Sequence, residues 1–334
     1  MSSVDFSVII PTYNRSRTLQ TTLEALVAQE PPACSPFSYE VIVVDDGSTD
    51  DTEQRVSSFQ NQMAASGDQG YGANIRYLRQ QNRKQGAARN LGAKEARGDF
   101  LVFLGDDTIP APDFLTRHAM ARQERGNWVP DSRLVVIGYT RWAKHLPVTR
   151  FMQYVGEQGW QFGFALITDR ENVPFNFFYT SNLSIGRRFF LESGGFDETF
   201  QEYGWEDIEL SLRLKRQGMR LVYEPGALAW HDHPTSLKSF IKRQRKVGCT
   251  AWRFYRLHPE MADFLSVLKI RPYTVRRRFQ MSLLTILCSV TEKRRWPDLS
   301  RYYPDLMSYH YSLGVLRARQ EDESRHSGGD KRRR

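Results

Sequence analysis

Asp106 and Asp107 are adjacent carboxylates placed directly after the apolar run 100–104. Neighbouring anions repel, and a cation beside them removes that cost. Mg2+ and Mn2+ take such hard oxygen ligands and share their shells with substrate phosphates. A solvated turn would account for the pair equally well, since Asp is at home in turns; the apolar run before it and Pro110 after it favour a fixed loop. A second cluster, Asp45-Asp46-Gly47-Ser48-Thr49-Asp50, follows the run 40–44. Turn formation and helix capping explain Gly47, Ser48 and Asp50. They leave the carboxylate pair, one member of which could accept the N–H of a pyrimidine base. Glu206-Asp207, after Gly204-Trp205, offers a general base for an acceptor hydroxyl. Acids in a first helical turn also simply complement the helix dipole. Arg89, in Gln85-Gly86-Ala87-Ala88-Arg89-Asn90, could approach a diphosphate. Its surroundings match neither a P-loop nor a dinucleotide fingerprint, and spacing alone favours an exposed surface arginine. His231 and His233 flank Asp232, and a histidine can complete a metal shell that carboxylates begin. Spacing does not say which of the two would bind.

These groups need elements to position them. Apolar runs at 6–10, 40–44, 75–79, 100–104 and 134–139 read as strands. Helical stretches lie between them: one capped by Ser16 with Leu19, Leu23, Leu26 and Val27 at helical spacing, then 50–65 and 85–96. Strands apolar throughout, alternating with helices, predict an α/β fold with a mostly parallel sheet sandwiched by helices. Ligands of such sheets sit beyond the carboxyl ends of the strands. Thr12-Tyr13-Asn14, Asp45-Asp46 and Asp106-Asp107 each follow a strand at once, so they converge there. Residues 206–216 alternate apolar and polar like a strand but are rich in helix formers and stop at Gly218, which predicts a helix with Asp207 near its start. A further strand is expected at 220–224.

Charge divides the chain. Residues 235–334 hold 23 Lys and Arg against 9 Asp and Glu, a balance of +14, whereas the first 234 carry −5. A slightly acidic body suits a cation-holding pocket, and the basic part suits an anionic surface. The expected organisation is a catalytic domain at 1–234, with a nucleotide half to about 110 and an acceptor half at 111–234. A basic helical region at 235–320 and a disordered tail at 321–334 follow. The apolar stretch 279–290 is bounded by Arg276-Arg277-Arg278 and Lys293-Arg294-Arg295. Twelve residues are too few to span a bilayer. They fit a helix lying in an anionic membrane interface as well as one packed on the core. Cys34, Cys249 and Cys288 lack metal-ligand or disulfide spacing, and no basic-then-apolar leader opens the chain. The expected location is cytoplasmic, peripheral at the inner face of the membrane if the basic region docks there.

Taken together, the motifs resemble the inverting nucleotide-sugar glycosyltransferases of family 2, which have the GT-A fold. The likeness covers residues 5–235. Ser7-Val8-Ile9-Ile10-Pro11-Thr12-Tyr13-Asn14-Arg15 resembles the family's opening strand and nucleotide-binding loop, which implies Pro11, Thr12, Tyr13, Asn14 and Arg15 as donor contacts. Val43-Val44-Asp45-Asp46-Gly47-Ser48 is similar to its second motif, implying Asp46 as the uracil reader. Gly86-Ala87-Ala88-Arg89-Asn90 matches another family segment and implies donor contact by Arg89. Leu104-Gly105-Asp106-Asp107 stands where the family has its DxD metal motif. Gly105 replaces the first Asp and removes the carboxylate that would touch the donor ribose and sugar. Asp106 keeps the middle position on the donor side, and Asp107 keeps the metal-contacting one. The segment around Asn182 is similar to an acceptor-side segment, with Trp205 as a wall of the acceptor site. Gly204-Trp205-Glu206-Asp207 matches the family's ED motif, implying Glu206 and Asp207 as catalytic and Asp207 as the base. His231 falls where related enzymes place a metal ligand.

The resemblance thus implies a UDP-sugar donor, an Mn2+ or Mg2+ cofactor, and a glycan or lipid-linked acceptor attacked in a single displacement. A nucleotidyltransferase of similar fold would need a basic, glycine-rich triphosphate loop near the first strand, and residues 11–17 offer none. A nucleic-acid-binding protein would set its basic residues around an aromatic platform or recognition helix. Here the basic excess is segregated from the acidic loops, so no nucleic-acid partner is expected. A basic membrane-binding protein without catalysis is the remaining alternative.

Overall fold

The computed structural model describes residues 4–30, 37–66, 74–129, 132–292 and 298–330. Cys34 and Lys293-Arg294-Arg295 lie outside the described residues. The chain forms two compact units. The first comprises 1–146, 156–199 and 207–233; the second comprises 147–155, 200–206 and 234–334.

The first unit is built on one eight-stranded sheet in the order β3-β2-β1-β4-β7-β6-β8-β5. Its strands are β1 (Phe6–Thr12), β2 (Tyr39–Asp45), β3 (Asn74–Arg79), β4 (Phe100–Leu104), β5 (Thr108–Pro110), β6 (Leu134–Trp142), β7 (Asn182–Gly186) and β8 (Arg220–His231). The first four run parallel, as do β6 and β8; β7 is antiparallel to β4 and β6, and β5 to β8. This is the mostly parallel α/β sheet that the sequence pattern predicts.

Every residue of β2 and β4 is buried, and apart from Glu40 and Asp45, which take hydrogen bonds, those runs are apolar. Val8, Ile10, Val41, Val43, Val102 and Leu104 face one layer, where Leu19, Leu23 and Leu26 of α1 (Ser16–Val27) and Val56 and Phe59 of α2 (Thr52–Ser66) pack on them. On the other face α3 (Lys84–Glu95) lies so close that a Cβ on Gly92 would stand 2.5 Å from Ile9. Short connections between these elements leave the loops after β1, β2 and β4 together at one end of the sheet.

Three strands differ from the sequence expectation: β7 is not expected at all, and β8 and β5 differ for one shared reason. Pro225-Gly226 reads as the end of a strand, because Pro lacks an N–H for the ladder. The sheet absorbs that break as a bulge: Gly138 pairs with Glu224 and Tyr139 with Leu228, and β8 continues to His231. Its far end then captures Thr108–Pro110 as β5, with Thr108 opposite His231. Three residues are too few to show a pattern in sequence. They bring the loop carrying Asp107 beside His231.

α4 (Phe114–Gln123), α5 (Arg150–Glu157), α6 (Arg187–Glu192) and α7 (Glu206–Arg216) complete the middle of the chain. The second unit contains α8 (Leu237–Leu257), α9 (Ala262–Leu265), α10 (Val275–Thr291) and α11 (Tyr303–Asp330). α8 and α11 cross at glycines: a Cβ on Gly248 would meet the Tyr311 carbonyl at 2.0 Å, and one on Gly314 the Arg245 carbonyl at 2.0 Å. The boundary at 234 is finer than expected, because 147–155 and 200–206 join this unit. Phe151 packs edge-on against Phe240 and Tyr303, and the Trp205 indole donates to the Val247 carbonyl at 3.0 Å. The expected disordered tail is a second correction. α11 runs through 321–330, supported by Arg317–Glu321 and Arg319–Glu323 pairs one turn apart and by the Trp252 indole on Asp322. Among the described residues no helix is long and apolar enough to cross a membrane. Cys249 and Cys288 are free thiols.

Candidate active site

Asp106 and Asp107 leave β4 in a tight, buried loop. Gly105 is required there, since a Cβ would stand 2.7 Å from the Thr108 hydroxyl and 3.0 Å from an Asp107 carboxylate oxygen. The loop after β1 closes over the pair. Thr12 donates to Asp106 at 2.8 Å, and the Arg15 guanidinium reaches Asp106 at 3.2 Å and Asp107 more closely still. Burial, reinforced by the neighbouring Asp107 charge, raises the Asp106 carboxyl above its ordinary range. Burial also acts to raise Asp107, but His231, Arg15 and His233 together outweigh it and hold that carboxyl below its ordinary value.

His231 adjoins the acidic pair. Its Nε2 lies 3.6 Å from Asp107 Oδ1, and the Asp232 N–H donates to the Asp107 carbonyl at 2.7 Å. Carboxylate and imidazole are donors that suit Mn2+ or Mg2+. Among the described residues no third His, Cys, Asp or Glu joins them. A cation here would need phosphate oxygens and water to complete its shell, as Mg2+-type sites usually do.

Other sequence candidates take different places. Pro11 is half-buried between the buried Ile10 and Thr12, and Tyr13 is exposed just beyond β1. Asn14 adopts a left-handed backbone (φ 54°) and clasps the loop after β2, its side chain accepting from Thr49 N–H at 2.7 Å while its own N–H donates to Ser48. The Asp46 carboxylate takes the Gln80 amide at 2.7 Å and the N–H groups of Arg83 and Lys84 at 2.8 and 2.9 Å. It caps the start of α3 and fixes the floor of the nucleotide side.

Arg89 is buried on α3, not exposed as spacing alone favoured. Its guanidinium lies against the Phe196 ring, with one nitrogen 3.8 Å from Asp207. Two of its nitrogens, Nε and Nη1, have no hydrogen-bond partner among the described residues. A buried cation with unspent donors fits a diphosphate.

Asp207 occupies the first turn of α7, held by the Thr180 hydroxyl at 2.8 and 2.9 Å and by the Thr180 N–H at 3.2 Å. Ser181, next to Thr180, accepts from the Gly105 N–H at 3.4 Å. The segment that holds Asp207 therefore abuts the acidic loop. Thr180 was missed by sequence reasoning: it is 27 residues from Asp207, and no spacing rule links them. Glu206 is buried with its carboxylate accepting from the Gly204 N–H at 3.0 Å, closing the loop ahead of α7. Trp205, at φ 68°, packs within the second unit against Phe254 and Phe264.

The structure does not bring Asn182 to a surface. It is 1% exposed, and its amide donates to the Ala227 carbonyl at 2.8 Å and the Tyr139 carbonyl at 3.2 Å, while its oxygen meets His118 at 3.0 Å. The polar side chain locks β7 to β6 and β8 from inside the sheet. Its signal in sequence was real, but the role is structural.

A mostly parallel sheet with carboxylates and a histidine beyond its strand ends is the architecture of the GT-A fold. Comparison with known proteins agrees. The model of glycosyl transferase family 2 matches residues 7–195, and one described as the N-terminal domain of galactosyltransferase matches 168–233. The chain belongs to glycosyl transferase family 2. The first match contains Asp46, Arg89, Asp106 and Asp107; the second contains Asp207 and His231. A chondroitin synthase of Escherichia coli is 30% identical over 257 residues, spanning 68% of this chain and 34% of its own. Across the first three curated relatives the chain spans 26%, 34% and 57% of their lengths. Among solved structures, S. aureus TarS 1-349 in complex with UDP-GlcNAc shares the fold at a TM-score of 0.52, with 19% identity over 97% of this chain and 92% of that one. A mannosyltransferase from Pyrobaculum calidifontis, in complex with GDP-Man and Mn2+, does so at 0.55, with 16% identity over 95% and 87%. Neither the nucleotidyltransferase nor the non-catalytic reading finds support in these matches.

Proposed function

We propose that the chain transfers a sugar from a UDP-sugar to a hydroxyl of a glycan or lipid-linked acceptor, inverting the anomeric carbon in a single displacement. The observation carrying this reading is the convergence on the acidic loop: Asp107 with His231 on one side, and Asp207, held by Thr180 and near Arg89, on the other. Asp207 takes the proton as the acceptor oxygen forms its bond to the anomeric carbon. The carbon–oxygen bond to the donor phosphate breaks at the same time, and its electron pair leaves on the nucleoside diphosphate. Arg89, whose Nε and Nη1 make no hydrogen bond among the described residues, binds phosphate oxygens where that charge collects. Asp107 and His231 would hold Mn2+ or Mg2+, which when bound offsets the diphosphate charge as a Lewis acid. Asp46 and the loop of Pro11, Thr12, Tyr13, Asn14 and Arg15 shape the uridine side, and Asp106 ties that loop to the metal side through Thr12 and Arg15. On the acceptor side this reading leaves Asn182 to the sheet and Trp205 to the packing of the second unit.

Asp207→Asn keeps the shape and the Thr180 contacts but cannot accept a proton. Donor binding, measured calorimetrically, should be unchanged, while transfer from UDP-sugars falls on the order of a thousandfold. Transfer at the parental rate would remove Asp207 as the base.

A further inference from the structure

α10 has two unlike sides. Met281 and Cys288 are buried on one, with Leu284 and Thr285 half-buried beside them, and Thr285 lies 3.4 Å from His310 of α11. On the opposite side Val275, Phe279, Leu283, Ile286, Leu287 and Val290 form a continuous apolar stripe open to solvent, with Phe279 72% and Ile286 60% exposed. At 100° per residue these six fall within a third of the helix circumference. Residues 274–280 are exposed all round, so the first turns of α10 stand free of the unit's surface.

The charge around this stripe is mostly basic; the acids at its edges are Asp263, paired with Lys269 at 3.0 Å, and Glu292, which accepts from the Leu237 N–H. Residues 264–291 contain five basic residues, Lys269, Arg271, Arg276, Arg277 and Arg278, and no Asp or Glu. At the N-terminal end of α10 lies an open cleft of about 540 Å³, lined by Lys269, Arg271, Arg277, Tyr273, Thr274 and Ser312. Leu268, exposed beside it, extends the apolar surface. A protein partner or a second copy meeting this face would have to place anions around a stripe one helix wide. A bilayer of anionic phospholipids supplies both halves of the match at once: acyl chains for the stripe, and a phosphate plane for the arginines.

We propose that α10 is a monotopic membrane anchor, lying in the interface of an anionic bilayer with the Phe279–Ile286–Val290 stripe below the headgroups. The basic cleft of Lys269, Arg271 and Arg277 receives a lipid phosphate at its leading end. The helix is immersed but does not cross, consistent with its length and with the side that packs on the unit through Met281 and Cys288. This assignment does not depend on the transfer chemistry of the first unit.

The full chain is tested by co-sedimentation with vesicles of phosphatidylcholine alone and with phosphatidylglycerol added. Binding to the anionic vesicles is expected, with little to the neutral ones. Replacing Arg276, Arg277 and Arg278 by Gln should weaken it about a hundredfold, given the contribution of each surface-bound arginine. The pair Phe279→Asp and Ile286→Asp should weaken it by roughly tenfold or more. All five side chains are exposed, so the melting temperature should not change, and UDP binding serves as a second check of folding. Equal binding to neutral vesicles, or binding that survives both variants, would overturn the proposal. So would a dimer, seen by light scattering, that the Asp pair dissolves while vesicle binding stays absent.

Discussion

Arg89 and Gly105 show how single side chains set the terms of this site. Arg89 is a buried guanidinium, stacked near Phe196, with two nitrogens that no described side chain or carbonyl satisfies. Unsatisfied buried donors are costly, and charge-assisted bonds to phosphate recover that cost. Arg89→Ala should therefore weaken UDP binding by roughly tenfold to a hundredfold in calorimetry. Unchanged affinity would place the diphosphate elsewhere. Gly105 makes a complementary point. The family's first carboxylate is absent, and the loop has closed over its place, with Thr108 and Asp107 crowding the glycine Cα. Restoring Asp at 105 would press on the metal-side carboxylate itself. Arg15, which neutralises both remaining acids, is the group that has come to occupy the loop.

At the scale of elements, the site depends on a polar network inside the sheet. His118 of α4 bridges Asn182 and Ser184 of β7 at 3.0 Å each. Arg122, one turn on, bonds the Leu134 carbonyl at 3.1 Å and covers the Phe100 ring. β7 carries Thr180 just before it, so this network reaches Asp207. Burial holds His118 neutral, its pKa pushed down to about 4. The folded state then refuses a proton that the unfolded chain accepts below about pH 6.5. Stability should be undisturbed above 6.5 and fall as pH drops toward 4, by on the order of 2 kcal/mol at pH 5. Urea titrations at pH 7 and pH 5 measure the loss, and His118→Gln, which cannot titrate, should remove that share of it. An unaltered pH slope in the variant would contradict the assignment.

This network also marks where sequence legibility stops. The parallel strands 6–10, 40–44 and 100–104 were readable because burial on both faces writes itself as uninterrupted apolar runs. The acidic loops were readable because each follows such a run directly. β5 and the far half of β8 were not, since three residues carry no period and Pro225 masks a bulge. Arg89 read as a surface residue because spacing cannot see that Phe196 covers it. Asn182 was visible as a motif, but a polar residue that locks a sheet and one that touches a substrate look alike without coordinates. Thr180 had no local signal at all.

At the scale of the whole molecule, charge and chemistry are divided between the two units. The first 234 residues carry a net −5 and contain the acidic loops; the remaining hundred carry +14 and present the apolar stripe of α10. The central claim nonetheless rests on the first unit: a nucleoside diphosphate binds beyond the strand ends through a cation on Asp107. The most direct test is thermal unfolding of the full chain with UDP and Mn2+, alone and together, beside Asp107→Asn. A ligand that binds only the folded state raises its melting temperature by mass action. The account predicts a rise with UDP and Mn2+ together, its loss on adding a chelator, and its near-absence in Asp107→Asn. A rise of the same size in that variant, or no response to any nucleotide under any metal condition, would contradict it.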